Sequence, residues 1–161
     1  MNGLLVIVPC GQKKIWDRAP GTGPTAAKDA YIGGFFGINR AFAERFGETW
    51  VILSAKYGFI NPDFEIPESY NTTFKKKQTG PITTARLREQ VQKNCFNRFT
   101  TVIVLGGKEY RSEVELAFDG TNSRLCFPFS GLTIGKAMQA TKRAIAENDP
   151  MREKTPSISG R

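Results

Sequence analysis

The chain of 161 residues fits one domain and is short for two. It contains no histidine, which excludes a Ser-His-Asp or Cys-His nucleophile and a histidine-ligated zinc ion. Its net charge of +8 favours polyanionic partners, namely nucleic acid or nucleotides, although such a charge also serves solubility.

The cysteines and the hydropathy indicate a protein without disulfides or membrane spans. Cys10, Cys95 and Cys126 have no CxxC spacing, and the last two lie in helix and strand patterns that predict burial. No metal site is predicted from such scattered ligands. No apolar run approaches the roughly 20 residues needed to cross a bilayer. The short opening run lacks the charged start of a signal peptide, so we expect a first buried strand of a cytoplasmic protein.

Four short apolar runs predict strands at residues 4–8, 50–53, 101–105 and 124–127. The runs are continuous rather than alternating, as in strands that are covered on both faces of a sheet. Each run is bounded by turn-forming residues.

Segments with helical periodicity separate these runs, at residues 28–46, 83–96, 109–118 and 134–145. In the first segment, the predicted buried face consists of Tyr31, Phe35, Ile38, Phe42 and Phe46. In the last segment, it consists of Ile134, Met138, Thr141 and Ile145.

This alternation predicts one α/β domain over residues 1–148, with a mostly parallel central sheet of at least four strands and helices on both faces. Residues 149–161 are dominated by proline, serine and charge, and we expect them to form a loose tail.

Ligands of open parallel sheets lie outside the carboxyl ends of the strands. The four predicted strands lead into residues 9–14, 54–58, 106–111 and 128–131. Each of these endings combines glycine with a small hydroxyl, a thiol or a cation. We therefore expect them to form one basic, glycine-lined pocket.

The glycines of this pocket suit an anion. Gly106 and Gly107 precede a helix, where backbone N–H groups can approach a phosphate, although a tight turn without a ligand has the same sequence. No GxGxxG or GxxxxGK[ST] motif is present, so no dinucleotide or P-loop site is indicated and no cofactor is predicted. The other candidate ligand-binding residues are Gly11, Lys13, Ser54, Ser130 and Gly131.

The candidate catalytic residues are Lys56, Tyr57, Cys10 and Tyr110. Lys56 can hold a phosphate or act as a base, and the tyrosines offer stacking surface and hydroxyl donors. Cys10 can be a nucleophile activated by Lys13 or by an adjacent helix start. The alternatives are a solvated lysine, packed tyrosines and a packed cysteine. We expect two further tyrosines to share the pocket, Tyr31 and Tyr70.

The ordered motifs resemble a family of small bacterial and phage proteins of uncharacterised function that is related to the YaaA peroxide-stress proteins. The residues that carry the resemblance are Cys10 with Lys13, Ala30-Tyr31 with Phe35, residues 53–58 with Pro62-Asp63, Ile66 and Tyr70, Gly106-Gly107 with Tyr110, and Pro128, Gly131-Leu132 and Gly135. The resemblance implies a role in protecting DNA during oxidative stress and in binding DNA.

Two functions therefore remain open at the level of sequence. The first is an enzyme that acts on a nucleotide or on a base within nucleic acid, at the N-glycosidic bond, with Lys56 as its electrostatic group. The second is a non-catalytic nucleic-acid-binding protein, or a nucleotide-sensing module. In the binding function Lys75, Lys76 and Lys77 would contact phosphates, whereas a solvated loop tip is the ordinary explanation of such a run.

Overall fold

The computed structural model describes residues 3–150, so most of the predicted tail, residues 151–161, lies outside the described residues. The strands are β1 (Leu4–Pro9), β2 (Thr25–Ala26), β3 (Thr49–Ser54), β4 (Gly58–Ile60), β5 (Glu65–Ile66), β6 (Thr101–Val104) and β7 (Arg124–Cys126). The helices are α1 (Ile15–Arg18), α2 (Ala27–Ala30), α3 (Gly34–Phe46), α4 (Thr84–Lys93), α5 (Lys108–Ala117) and α6 (Ile134–Ala146). Within residues 3–150, no helix is long and apolar enough to cross a membrane.

The central sheet has five strands in the order β4-β3-β1-β6-β7. Strands β3, β1, β6 and β7 are parallel, and only β4 runs antiparallel, at the edge. The short strands β2 and β5 form a separate antiparallel pair. The predicted single α/β domain with a mostly parallel sheet is confirmed.

The core lies on both faces of the sheet because β1 alternates its side chains between them. Val6 and Val8 face a cluster that includes Phe42 of α3 and Ala144 of α6. Leu5 and Ile7 belong to a second cluster with residues of α4 and α5. Helices therefore cover both faces, and this is why the strands carry continuous apolar runs.

The predicted buried faces of two helices are wrong in part, since Tyr31, Phe42 and Thr141 are buried as predicted but other predicted positions are not. In α3 the buried residues are Phe36, Asn39, Phe42 and Ala43. Phe36 and Asn39 each lie one residue after the predicted Phe35 and Ile38. In α6 the buried face carries three alanines and Thr141, whereas Ile134 is 65% exposed. Small alanine side chains let α6 pack closely against α3.

The environment of Cys95 is also corrected. Helix α4 ends at Lys93, and Cys95 follows it in the left-handed region with φ 55°, exposed to solvent. Thr83 caps the start of α4, since its side chain accepts a hydrogen bond from the Arg86 N–H. Cys126 is buried in β7, as predicted.

Strand β1 lies at the centre of the parallel strands, and the chain order around it creates a crevice. The four parallel strands follow the order second-first-third-fourth, so the connections that leave β1 and β6 turn to opposite faces of the sheet. At this point Gly106 has a φ of +115°, and a Cβ there would lie 2.8 Å from Pro9 Cγ. Glycine is thus required where the two strand ends separate.

We predict that Gly106→Ala lowers the free energy of unfolding by roughly 1–3 kcal/mol, because alanine is strained at this φ and meets Pro9. The adjacent Gly107→Ala is the matched control. Its φ is −80° and the nearest atom to a Cβ is 3.8 Å away, so we expect a change within about 1 kcal/mol. Denaturant unfolding of both variants checks this, and equal losses would contradict the assigned role of Gly106.

Candidate functional site

A pocket of about 800 Å³ opens at the carboxyl ends of β1 and β6. This is the edge and the switch point at which doubly wound sheets bind ligands, and the volume lies in the usual range of roughly 300–1,000 Å³ for small-molecule sites. The candidate residues that line it are Cys10, Gly11, Lys13, Lys75, Lys76, Gly106, Gly107, Tyr110, Ser130 and Gly131. Three of the four strand endings thus meet there as expected.

The fourth ending lies beside this pocket. Residues 51–60 form a hairpin in which Ser54 pairs with Gly58, so that Lys56 and Tyr57 occupy its turn. Both residues line a second hollow with residues of the segment 80–86. The Lys56 Nζ lies 5.6 Å from the ring centre of Tyr70, a lining residue of the main pocket, but Lys56 itself is not among the lining residues. The catalytic role predicted for Lys56 and Tyr57 remains a prediction.

Ser54 supports the site from beneath. It is fully buried, and its hydroxyl accepts hydrogen bonds from the backbone N–H groups of Lys56 and Tyr57, each at 3.1 Å. Because both acceptor positions are used, its proton is directed to the Tyr70 hydroxyl 2.8 Å away. Ser54 therefore closes the hairpin and orients Tyr70 rather than lining the pocket. Lys77, which begins a 3₁₀ turn, is likewise not among the pocket-lining residues.

A thiol and three tyrosines form a cluster at the base of the pocket, in which Tyr31 and Tyr70 are buried and Cys10 and Tyr110 are half-buried. Tyr70 and Tyr110 line the pocket, whereas Tyr31 lies behind Tyr70 and is not among the lining residues. Cys10 Sγ lies 3.3 Å from the Tyr110 hydroxyl, and the hydroxyls of Tyr31 and Tyr70 are hydrogen-bonded to each other. Burial, followed by the nearby charge of Cys10, raises the pKa of Tyr31, Tyr70 and Tyr110. These hydroxyls are therefore protonated at neutral pH, and they can donate hydrogen bonds or supply protons to a ligand.

Lys14 is a cation beside Tyr70 in this cluster, whereas the sequence predicted a role for its neighbour Lys13. Lys14 is only 5% exposed, whereas Lys13 is exposed at the pocket edge. The Lys14 Nζ donates to the Gln12 carbonyl at 3.1 Å and lies 4.5 Å from the ring centre of Tyr70. Burial lowers the pKa of Lys14, and the charges of Cys10 and Asp17 oppose that shift.

Two donors without partners also line the pocket. Asn39 is 1% exposed on the buried face of α3, and its amide nitrogen has no hydrogen-bond partner in the described chain. The buried Nε of Arg111, on α5, also has none. An unsatisfied buried donor costs about 1–3 kcal/mol, and a ligand that accepts from it removes this cost. Asn39 was missed in the sequence. The signal that could have identified it is a polar residue on a helix face whose other buried side chains are apolar.

The electrostatics of the pocket favour an anion. Among its described lining residues, Glu109 is the only carboxylate, and the cations are Lys13, Lys14, Lys75, Lys76 and Arg111. The first residues of α3, α5 and α6 also line it, so three positive helix ends open on the same space. Within residues 3–150, the cysteines and carboxylates do not gather into a group suited to a metal ion.

Comparison with known proteins finds similarity to one family, a bacterial protein and a solved structure. Residues 5–143 match a family of unknown function, DUF6884. The uncharacterized protein YfjM of Bacillus subtilis (strain 168) is 40% identical over 144 residues, which are 89% of this chain and 95% of that protein. The crystal structure of AF0587, a protein of unknown function, is similar with 14% identity and a TM-score of 0.45. That match covers 88% of this chain but only 44% of AF0587, less than half its length. The resemblance to YaaA-related proteins stays a prediction.

We predict that fewer than four tyrosines ionise in the native protein when the pH is raised, since burial raises the pKa of three of the four. The unfolded chain loses these protons near the ordinary value of 10.0. The folded state then binds more protons than the unfolded state, so stability is retained below pH 10 and declines as the pH rises further. Ultraviolet tyrosinate absorbance, followed together with circular dichroism, checks this. Ionisation of all four tyrosines with native dichroism would contradict the buried cluster.

Proposed function

Because the chain belongs to the family of unknown function DUF6884, its activity has to be argued from its own pocket, and we propose that it hydrolyses the N-glycosidic bond of a nucleotide. The nucleotide is either free or a flipped-out unit of nucleic acid, DNA being the expected form. The proposal rests on one observation: the pocket joins a cationic, glycine-lined side to an apolar slot that ends in an unpartnered amide.

The anion side of the pocket (Lys13, Lys75, Lys76, Gly106, Gly107 and Arg111) has the chemistry of a phosphate site. Gly107 caps the start of α5, where unpaired N–H groups and the helix dipole favour a negative charge. The Nε of Arg111, on the same helix, supplies a donor that has no protein partner. A phosphate placed here would be neutralised by lysines that reach over it from the pocket edge.

The helix slot (Phe36, Asn39, Phe129, Ala137 and Thr141) lies where α3 and α6 pack together. Aromatic rings and alanine suit the flat apolar face of a base. The amide of Asn39 is the polar group that such a slot needs to read a base edge, because amides pair with the donors and acceptors of nucleobases. A purely apolar ligand would leave this amide unpaired.

The chemistry required is the attack of water on the sugar carbon while the carbon–nitrogen bond breaks. The departing base must gain a proton or have its negative charge stabilised. Protonated tyrosines and Lys14 offer such donors, and Glu109 is the pocket carboxylate available to orient the water. Cys10, the candidate nucleophile, lines the same pocket and lies within hydrogen-bond distance of the Tyr110 hydroxyl.

A second function, non-catalytic binding of nucleic acid, is favoured by the surface around the pocket opening. Lys75 and Lys76 are exposed there, and the apolar Leu132 and Ile134, which also line the pocket, are 39% and 65% exposed. Exposed lysines that contact phosphates are typical of nucleic-acid binding that does not depend on base sequence. In either function we propose a cytoplasmic protein, with DNA protection as the role that a YaaA-like relationship would give it.

We predict that the wild-type protein releases free base from nucleotides or from single-stranded, duplex or bubble DNA, as detected by mass spectrometry. Asn39→Leu should slow release at limiting substrate concentration about threefold to tenfold, because one hydrogen bond to the base is lost. Asn97→Leu, a matched change at an exposed position beyond α4, should retain the wild-type rate. Lys56→Ala in parallel tests the catalytic role predicted for Lys56. Absence of release from every substrate would refute the hydrolytic function and leave the binding function.

We also predict that Asn39→Leu does not destabilise the ligand-free protein, because it removes a buried donor that has no partner. Its affinity for a nucleoside monophosphate should nevertheless fall about threefold to tenfold, the worth of one hydrogen bond. Thermal unfolding and calorimetric titration measure the two effects separately. A large loss of stability with unchanged affinity would show that Asn39 is structural.

A further inference from the structure

We propose that Lys14 forms an imine with the aldehyde of a phosphate-bearing sugar bound in the pocket. This inference rests on the proposed function, because hydrolysis of an N-glycosidic bond leaves the sugar carbon as a hemiacetal in equilibrium with its open-chain aldehyde. Lys14 is a buried amine that lines the same pocket as the anion side.

The position of Lys14 suits a nucleophile better than an ion-pair partner. Within the described residues, its ammonium group makes no salt bridge, and Asp17 contacts its backbone N–H at 2.8 Å instead. The side chain is fixed at both ends. Its backbone pairs with Tyr31 in an isolated β-bridge, and its Nζ bonds to the Gln12 carbonyl.

Burial also favours the deprotonated form of the amine, which the reaction needs. Burial disfavours the charged ammonium and lowers the pKa of Lys14, which increases the fraction of neutral amine at neutral pH. The only carboxylate among the described lining residues is Glu109 on α5, and it makes no salt bridge with Lys14. The anion side of the pocket would hold the phosphate of the sugar while its aldehyde reaches Lys14.

The surrounding tyrosines complete the reaction. The Nζ lone pair attacks the aldehyde carbon and gives a carbinolamine. A tyrosine hydroxyl then protonates the departing oxygen, which leaves as water, and the tyrosinate regains a proton from the nitrogen as the C=N bond forms. Tyr70 is the tyrosine nearest to this amine in the described contacts, with the centre of its ring 4.5 Å from Nζ. No external oxidant or reductant is needed.

The test is reductive trapping with cyanoborohydride, which converts the imine to a stable secondary amine. The probes are 2-deoxyribose 5-phosphate and, in a second arm, a single-stranded oligonucleotide with one abasic site. These arms distinguish a free sugar phosphate from the same sugar within DNA. We expect one adduct on the wild-type chain, located at Lys14 by fragment-ion sequencing of the digested protein.

Lys14→Met should lose the adduct, whereas Lys93→Met should retain it, because Lys93 ends α4 away from the pocket. Should Lys14→Met fail to fold, mapping of the wild-type adduct decides the question without a variant. No adduct at Lys14 with either probe overturns the proposal, as does equal labelling of a folded Lys14→Met.

The base-release assay on the same preparation separates this inference from the proposed function. Release of base without trapping at Lys14 would overturn the imine and leave the hydrolysis intact. Trapping at Lys14 without any release of base would support the imine and overturn the hydrolysis.

Discussion

The site depends on the position of β1 between β3 and β6. Because β1 is central, its chain continues toward one face of the sheet while the chain that leaves β6 continues toward the other, and a crevice opens between them. Pro9 and Gly106 mark the base of that crevice, where the backbone of one strand end meets the side chain of the other. The residues that follow, 10–14 and 107–111, supply three of the five cations and the one carboxylate among the described lining residues of the pocket.

The same crevice accepts polar groups that a stable core would exclude. A lysine, an asparagine and a tyrosine cluster are buried there, each at a cost in solvation. Ser54 and the paired tyrosine hydroxyls satisfy one another, but Asn39 and Arg111 keep donors that have no partner among residues 3–150. Apolar packing on both faces of the sheet compensates for this cost elsewhere. Such a distribution, with unpaired donors gathered at one crevice, is typical of a ligand site.

The fold was predictable from the sequence because continuous apolar runs bounded by glycine are a strong signal for buried parallel strands. The faces of α3 and α6 were not, since Phe35 and Phe36 are both apolar and periodicity alone cannot select between them. The same ambiguity hid Asn39, whose burial depends on the correct register. Lys13 and Lys14 are identical in sequence terms, and only the β-bridge to Tyr31 decides which of them points inward. The position of Lys56 after a strand was predicted correctly. The hairpin that joins β3 to β4, however, places Lys56 in the lining of the second hollow.

The central claim is that one pocket holds both the phosphate and the base of a nucleotide. A crystal structure of the protein with adenosine 5′-monophosphate tests it most directly. We expect the phosphate at Gly106, Gly107 and Arg111, and the base in the helix slot with the Asn39 amide donating to it. A nucleotide bound only by the exposed lysines at 75–77, with the helix slot empty, would contradict it.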